Sequence, residues 1–395
     1  MKRLFCLIFA ALFCLGGARV AATEQGGFYP PAYGAFEEWT AEAGAFTGSL
    51  ECKAALLMEA DTGTVLYKSC ETERLPIASV TKIMSTLLVA EALDKGKIAI
   101  DELVTVSAYA ASMGGSQVYL EPGEQMSVDE LLKCLIVVSA NDAAVALAEH
   151  IYGSADSFVN AMNLRAAELG MENSHFVNTT GLDDGGYCSA EDVAIMTREL
   201  LKHPVVFNYT TIWMDTVRDG AFGLSNTNRL VRFYKGANGM KTGFTSEAMY
   251  CLSATAERDG MQLIAVVLGA PSSDVRFGAA KSLLDYGFAN YRVLRPEAEE
   301  LSPIAVKGGT AESVPVEYSP PTVLGEKGSE AMRVEYSCEQ SLKAPVAKGQ
   351  KVGEAVYYLG NEECARTDLC AAEAVDTMSY AALLARVWKN ILSFV

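Results

Sequence analysis

Near residue 293 the pattern of the chain changes, and that change restricts its possible folds more than any other feature. Upstream, apolar residues recur at helical spacing in several segments, with strand-like runs between them. Residues 79–95 place Ile83, Leu87, Leu88 and Ala90 in a helical pattern that closes at Gly96. Ser127-Val128-Asp129-Glu130 is a capping box opening a helix through Leu131, Leu132, Leu135 and Ile136. Further helical stretches run from Asp142 to Tyr152, stopping at Gly153, and over 155–169, 189–202 and 273–290. Residues 51–69 alternate as a hairpin turning at Asp61-Thr62-Gly63, and 240–269 read as two strands joined at Arg258-Asp259-Gly260. Helices that interrupt a largely antiparallel sheet make an α+β domain, expected over 51–292. Downstream, SPIAVKGG, ESVPVEYSPP and GQKVGEAVYYLG are short β-prone runs broken by Pro and Gly. They predict a small all-β domain over 293–376.

The two ends of the chain carry different signals. Lys2 and Arg3 precede an apolar run from Leu4 to Leu15, and Val20-Ala21-Ala22 offers small residues for cleavage. Residues 1–22 therefore read as a secretory signal, because the run falls short of the ~20 residues that span a bilayer. Residues 23–50 show no period and read as a leader or linker. At the other end, 377–395 predicts an amphipathic helix. Arg386, Lys389, Asn390 and Ser393 form one polar stripe, and Leu383, Leu384, Val387, Trp388, Ile391, Leu392, Phe394 and Val395 cover the rest. Such a helix suits the membrane interface, with Trp388 at headgroup level and the cations toward anionic lipid. The alternative is a helix packed on the β domain.

Lys plus Arg number 32 against 49 Asp plus Glu, for a net charge of −17. A chain this acidic repels polyphosphate, so nucleic acid is not an expected partner. Three His, no CxxC pair and no nucleotide loop leave no metal or cofactor implied, and His150, His175 and His203 are expected to be structural. Outside the signal the cysteines are Cys52, Cys70, Cys134, Cys188, Cys251, Cys338, Cys364 and Cys370. An exported chain permits disulfides without assigning them. Cys52 and Cys70 flank the first hairpin, Cys364 and Cys370 are near in sequence, and Cys134 reads as a buried thiol.

Three short patterns carry candidate chemistry. Ser79-Val80-Thr81-Lys82 begins a helix, so hydroxyl and amine share a face. A serine needs an adjacent base, and a lysine serves when desolvation and nearby cations lower its pKa. Ser139-Ala140-Asn141 lies between two helices, where hydroxyl and amide can enter one cleft. Lys241-Thr242-Gly243 lies on a strand, where a cation and a hydroxyl suit a carboxylate and the glycine lets a ligand approach. Each pattern alone also reads as ordinary capping or a turn. In this order, on helix, loop and strand, they form the SxxK, SxN and KTG set.

With the flanks PIASVTKIMSTLL, VVSANDAAVALAEHIYG, NGMKTGFTSEA, HFVNTTGLDDGGYCSAEDVA and SDVRFGAAKSLLDYGF, the chain closely resembles the low-molecular-weight penicillin-binding proteins. These are serine D-alanyl-D-alanine carboxypeptidases, and the likeness runs from about residue 50 to the end. It implies a β-lactamase/transpeptidase-like domain, a C-terminal β domain and an amphipathic anchor. It further implies that Ser79 is acylated by stem peptides of peptidoglycan and by β-lactams, and that Lys82 takes its proton. Ser139 would protonate the departing D-alanine, with help from Lys241 or Lys82, and Asn141 would hold the substrate amide and Lys82. Lys241 and Thr242 would hold the terminal carboxylate, with Arg276 feeding that pocket. The amides of Ser79 and Phe244 would form the oxyanion hole, although the family often has a polar residue where Phe244 stands.

A class A β-lactamase shares the three motifs, but no ExxLN lies between Asn141 and Lys241; Glu168, Glu172 and Glu191 lack that context. Other readings are an endopeptidase or transpeptidase of the same fold, and an inactive wall-binding homologue. The enzyme is expected to be exported and attached peripherally to the outer face of the cytoplasmic membrane.

Overall fold

A computed structural model of the chain describes residues 46, 48–182, 184–329, 331–381, 383–384 and 388. They all fall within one compact unit, Trp39–Val395. The expected signal over 1–22, almost all of the leader over 23–50 and most of the tail beyond 381 lie outside the described residues.

The first domain is built on five antiparallel strands. Their order is Val65–Ser69, Ala54–Glu59, Met261–Ala270, Met249–Arg258 and Ala237–Thr245. Ala54–Glu59 and Met261–Ala270 have almost no polar residues because both faces of the sheet are covered there. Leu56, Met58, Ile264 and Val266 enter the core beneath the helices, while Leu57, Leu263, Ala265 and Val267 face the long helix Ser273–Asn290. Successive side chains on a strand point to opposite faces, so each apolar residue has a core to enter.

The helical patterns appear close to their expected bounds, as Lys82–Asp94, Val128–Val137, Asn141–Tyr152, Ala155–Glu168 and Ala190–Leu200. Both halves of the Ser127–Glu130 capping box form. The first hairpin turns where expected, because buried Glu59 accepts hydrogen bonds from the amides of Asp61 (3.0 Å) and Thr62 (2.8 Å).

Two local expectations change. Residues 240–269 are the end of one strand and two more, not two strands alone. A turn at Ser246-Glu247-Ala248 separates the first from the second, closed by the Ala248 amide donating to Thr245 Oγ1 (3.0 Å). It has no Gly, Pro or Asn to announce it. Cys364 and Cys370 lie on one strand, Glu362–Ala371, where six residues of β rise hold them roughly 20 Å apart, too far to pair.

From Tyr291 to Ala371 the secondary structure among the described residues is all β. A four-stranded sheet, in the order Val316–Glu317, Glu362–Ala371, Lys351–Leu359 and Met332–Cys338, shares one core with a three-stranded sheet around Ile304–Lys307. That core contains Val306, Leu342, Val352, Tyr357 and Leu369.

Candidate active site

The Ser79 motif does not begin with an α-turn. Ala78–Thr81 is a single 3₁₀ turn, entered through Ala78 at φ 48°, and the α-helix starts at Lys82. In a 3₁₀ turn residues i and i+3 eclipse one another. The Lys82 Nζ thus lies 3.0 Å from Ser79 Oγ. Lys82 is completely buried and donates to the Thr180 carbonyl at 2.8 Å. Burial, then the charge of Lys241, hold its pKa well below that of a free lysine, against an opposing pull from Asp142.

The Thr180 carbonyl is aimed by a turn. Asn178 Oδ1 accepts from the amides of Thr180 (2.9 Å) and Gly181 (2.5 Å). Gly181 has φ +75°, and a Cβ there would lie 2.0 Å from the Ala78 carbonyl oxygen. Only glycine lets this turn rest on the Ser79 turn.

Ser139 has φ 64°, just past the helix Val128–Val137. Its Oγ and Asn141 Oδ1 are buried without a hydrogen-bond partner among the described residues. Both atoms keep hydrogen-bonding capacity at the cleft, and a buried polar atom left unpaired costs about 1–3 kcal/mol. Asn141 Nδ2 donates to the Gly114 carbonyl (2.7 Å), so the side chain expected to hold Lys82 is instead fixed to the neighbouring loop. Thr180 takes the position beside Lys82. Buried Asp142 secures that loop by accepting from the amides of Val118 (3.0 Å) and Leu120 (3.1 Å).

On the strand Ala237–Thr245, Lys241 is buried and donates to the Thr242 carbonyl (2.9 Å). Burial, then Arg276, lower its pKa to about 7. Arg276 is itself buried; its Nη1 donates to the carbonyls of Gly243 and Cys251 at 3.1 Å each, and burial lowers its pKa to about 10. Its guanidinium lies 4.6 Å from the Phe277 ring centre. The Thr242 hydroxyl donates to Thr227 Oγ1 (2.8 Å). Gly243 faces the Ser79 turn, where a Cβ would come within 2.5 Å of the Ile77 carbonyl oxygen and 3.1 Å of the Ser79 nitrogen. The close approach this glycine permits is therefore to the chain's own Ser79 turn. Phe244 is exposed, with its ring centre 4.4 Å from that of Tyr250.

This arrangement supplies a serine with a buried amine against it, a buried Lys241 on the adjoining strand and a buried Arg276 on the helix behind that strand. A family model described as D-alanyl-D-alanine carboxypeptidase matches residues 40–272, and one for the C-terminal domain of penicillin-binding protein 5 matches 293–377. The chain belongs to the D-alanyl-D-alanine carboxypeptidase family. It is a serine-type hydrolase of that class. Its similarity to D-alanyl-D-alanine carboxypeptidase DacF of Bacillus subtilis (strain 168) is 43% identity over 353 residues, 87% of this chain and 91% of that one. The crystal structure of penicillin-binding protein 5 from Haemophilus influenzae superposes with a TM-score of 0.74 at 33% identity, covering 83% of this chain and 98% of that one. Penicillin-binding protein D2 of Listeria monocytogenes, solved in an ampicillin-bound form, matches with a TM-score of 0.53 and 34% identity, covering 61% of this chain and 98% of that one.

Within this family member, the residues that motif reading passed over are Asn178, the Thr180 carbonyl, Asp142 and Thr227. Asn178-Thr179-Thr180-Gly181 did carry a turn signal, an Asn before a Gly. Asp142 stands in the first turn of its helix, where an acid is ordinary and signals nothing more. Of the histidines, His150 pairs with Glu102 (2.9 Å) and His203 with Asp94 (2.6 Å), while His175 stacks near Tyr187 in the groove beside Ile77 and Ala78.

Proposed function

We propose that the chain removes the terminal D-alanine from peptidoglycan stem peptides through an acyl-enzyme on Ser79. The observation that carries this reading is the fully buried Lys82 amine 3.0 Å from Ser79 Oγ. Burial and Lys241 push its pKa well below the usual lysine range, and in its neutral form it takes the serine proton as Oγ attacks the carbonyl between the two D-alanines. The oxyanion that forms is received by the amides of Ser79 and Phe244, brought together because Gly243 lets the strand meet the Ser79 turn. One such donor is worth about 3 kcal/mol of barrier. The C–N bond breaks, and free D-alanine leaves with a proton delivered through Ser139, whose Oγ has no hydrogen-bond partner among the described residues. Water then hydrolyses the ester on Ser79.

Lys241 and Thr242 hold the terminal carboxylate, and Asn141 Oδ1 accepts from the substrate amide. Arg276 acts from behind the strand: its bonds to the Gly243 and Cys251 carbonyls fix the strand, and its charge makes the pocket positive. β-Lactams place a strained amide and a carboxylate on the same groups, so they acylate the same serine.

The acidic, signal-bearing sequence supports action outside the cytoplasm, with peripheral attachment through residues 379–395. Of the tail, Tyr380, Leu383, Leu384 and Trp388 are described and exposed. No helix among the described residues is long and apolar enough to cross a membrane.

The test uses diacetyl-L-Lys-D-Ala-D-Ala and a fluorescent penicillin. The chain should release D-alanine and take up the label, and Ser79→Ala should do neither. Full labelling of Ser79→Ala would overturn the assignment.

A further inference from the structure

The Thr242 hydroxyl has a partner that the three motifs do not contain. It donates to Thr227 Oγ1 at 2.8 Å. Thr227 stands in the segment Asn226-Thr227-Asn228, where both asparagines are buried and Thr227 is exposed. Each asparagine is tied to backbone. Asn226 Nδ2 donates to the Ile212 carbonyl (2.7 Å), and Asn228 Nδ2 donates to the Gly239 carbonyl of the Lys241 strand (2.7 Å). Asn226 Oδ1 accepts from the Asn228 amide (2.8 Å), bracing one against the other. The Thr227 amide donates to the Val137 carbonyl (3.1 Å), two residues before Ser139. The segment therefore bridges the Ser139 helix and the Lys241 strand, and the one side chain it leaves at the surface meets Thr242.

We propose that Thr227 is a positioning residue that sets the enzyme's preference for a free terminal carboxylate; the proposal rests on Thr242 holding that carboxylate. A hydroxyl has one proton to donate and two lone pairs. In the empty site Thr242 spends its proton on Thr227. When a carboxylate arrives, Thr242 turns its proton to that stronger acceptor, and Thr227 reverses and donates to Thr242 Oγ1. The two hydroxyls then form a chain ending on the charge, each bond polarising the next. No proton changes owner. A side chain without a hydroxyl at 227 leaves Thr242 free to rotate and removes that polarisation.

The experiment compares the full chain with Thr227→Val, Thr227→Ala and Thr227→Ser on diacetyl-L-Lys-D-Ala-D-Ala and on its C-terminal amide, with thermal melting as a check on folding. Val and Ala should raise KM for the acid about tenfold, with a smaller change in kcat, and shrink the preference for acid over amide. Ser should restore both. An unchanged KM for the acid in the Val and Ala variants overturns the proposal. So does an equal loss on both substrates that Ser fails to rescue, which would mean a purely structural role. Failure of the unmodified chain to release D-alanine would instead sink the carboxypeptidase reading beneath it.

Discussion

Two lysines in one site have to hold opposite protonation states, and their surroundings arrange this. Lys82 is completely buried beside a second cation, Lys241, and both burial and that charge push its pKa well below the usual lysine range. Lys241, lowered to about 7, keeps its charge in acid and gives it up above neutrality. Titration of such neighbours belongs to the pair, but the sign for each limb is clear. Acylation requires neutral Lys82 and so rises with pH. Carboxylate binding requires charged Lys241, so kcat/KM on an acid peptide should fall as pH climbs through about 7. In Lys241→Arg, a guanidinium stays charged, and the falling limb of the residual activity should move to higher pH. A pH–rate series on both proteins checks this, and a limb that stays in place assigns it to another group.

At the scale of elements, the site is a contact between a 3₁₀ turn and a strand, and Gly243 sets their separation. Gly243→Ala would push a methyl to 2.5 Å from the Ile77 carbonyl oxygen, which is backbone and has nowhere to go. The strand and the Ser79 turn must then move apart, and displacing one oxyanion donor costs about 3 kcal/mol, or roughly a hundredfold in acylation. Stopped-flow acylation by a chromogenic cephalosporin measures it, with thermal melting alongside. Acylation within threefold of the parent would show that the two amides do not act together. Gly181 closes on the Ala78 carbonyl from one side and Gly243 on the Ile77 carbonyl from the other, so the Ser79 turn is held between two glycine contacts.

Across the whole molecule, every group proposed for catalysis lies between Ser79 and Arg276, and the β domain has its own core around Leu342, Val352 and Leu369. The tail begins beyond that core, with Tyr380 and Trp388 exposed. Deleting 379–395 should leave kcat/KM on soluble peptide unchanged and abolish flotation with anionic vesicles. Each of its two cations, Arg386 and Lys389, is worth about 1 kcal/mol at such a surface, so high salt should release the full chain in part. Flotation of the deleted form, or none by the full chain, would discard the anchor.

The parts of this protein visible in the residues alone were those governed by near neighbours. The apolar period of Lys82–Asp94 and Val128–Val137, the Ser127–Glu130 box, the stop at Gly153 and the turn at Asp61-Thr62-Gly63 all depend on residues within one or two turns. The three motifs could be picked out because their order along the chain is itself a pattern, and the β runs after 290 because Pro and Gly punctuate them. The turn at Ser246–Ala248 escaped because its one turn-favouring residue, Ser246, stands without a Gly, Pro or Asn. What folding alone decided is the environment of those motifs. The carbonyl that holds Lys82 is 98 positions away, the hydroxyl that meets Thr242 belongs to a segment with no motif, and Gly243 matters for what it faces across the cleft. A pKa is set by burial and by charges nearby in space, and neither is encoded in the spacing of Ser79 and Lys82. The sequence could name the groups that react, but only the packed chain could strip the water from Lys82 and make it a base.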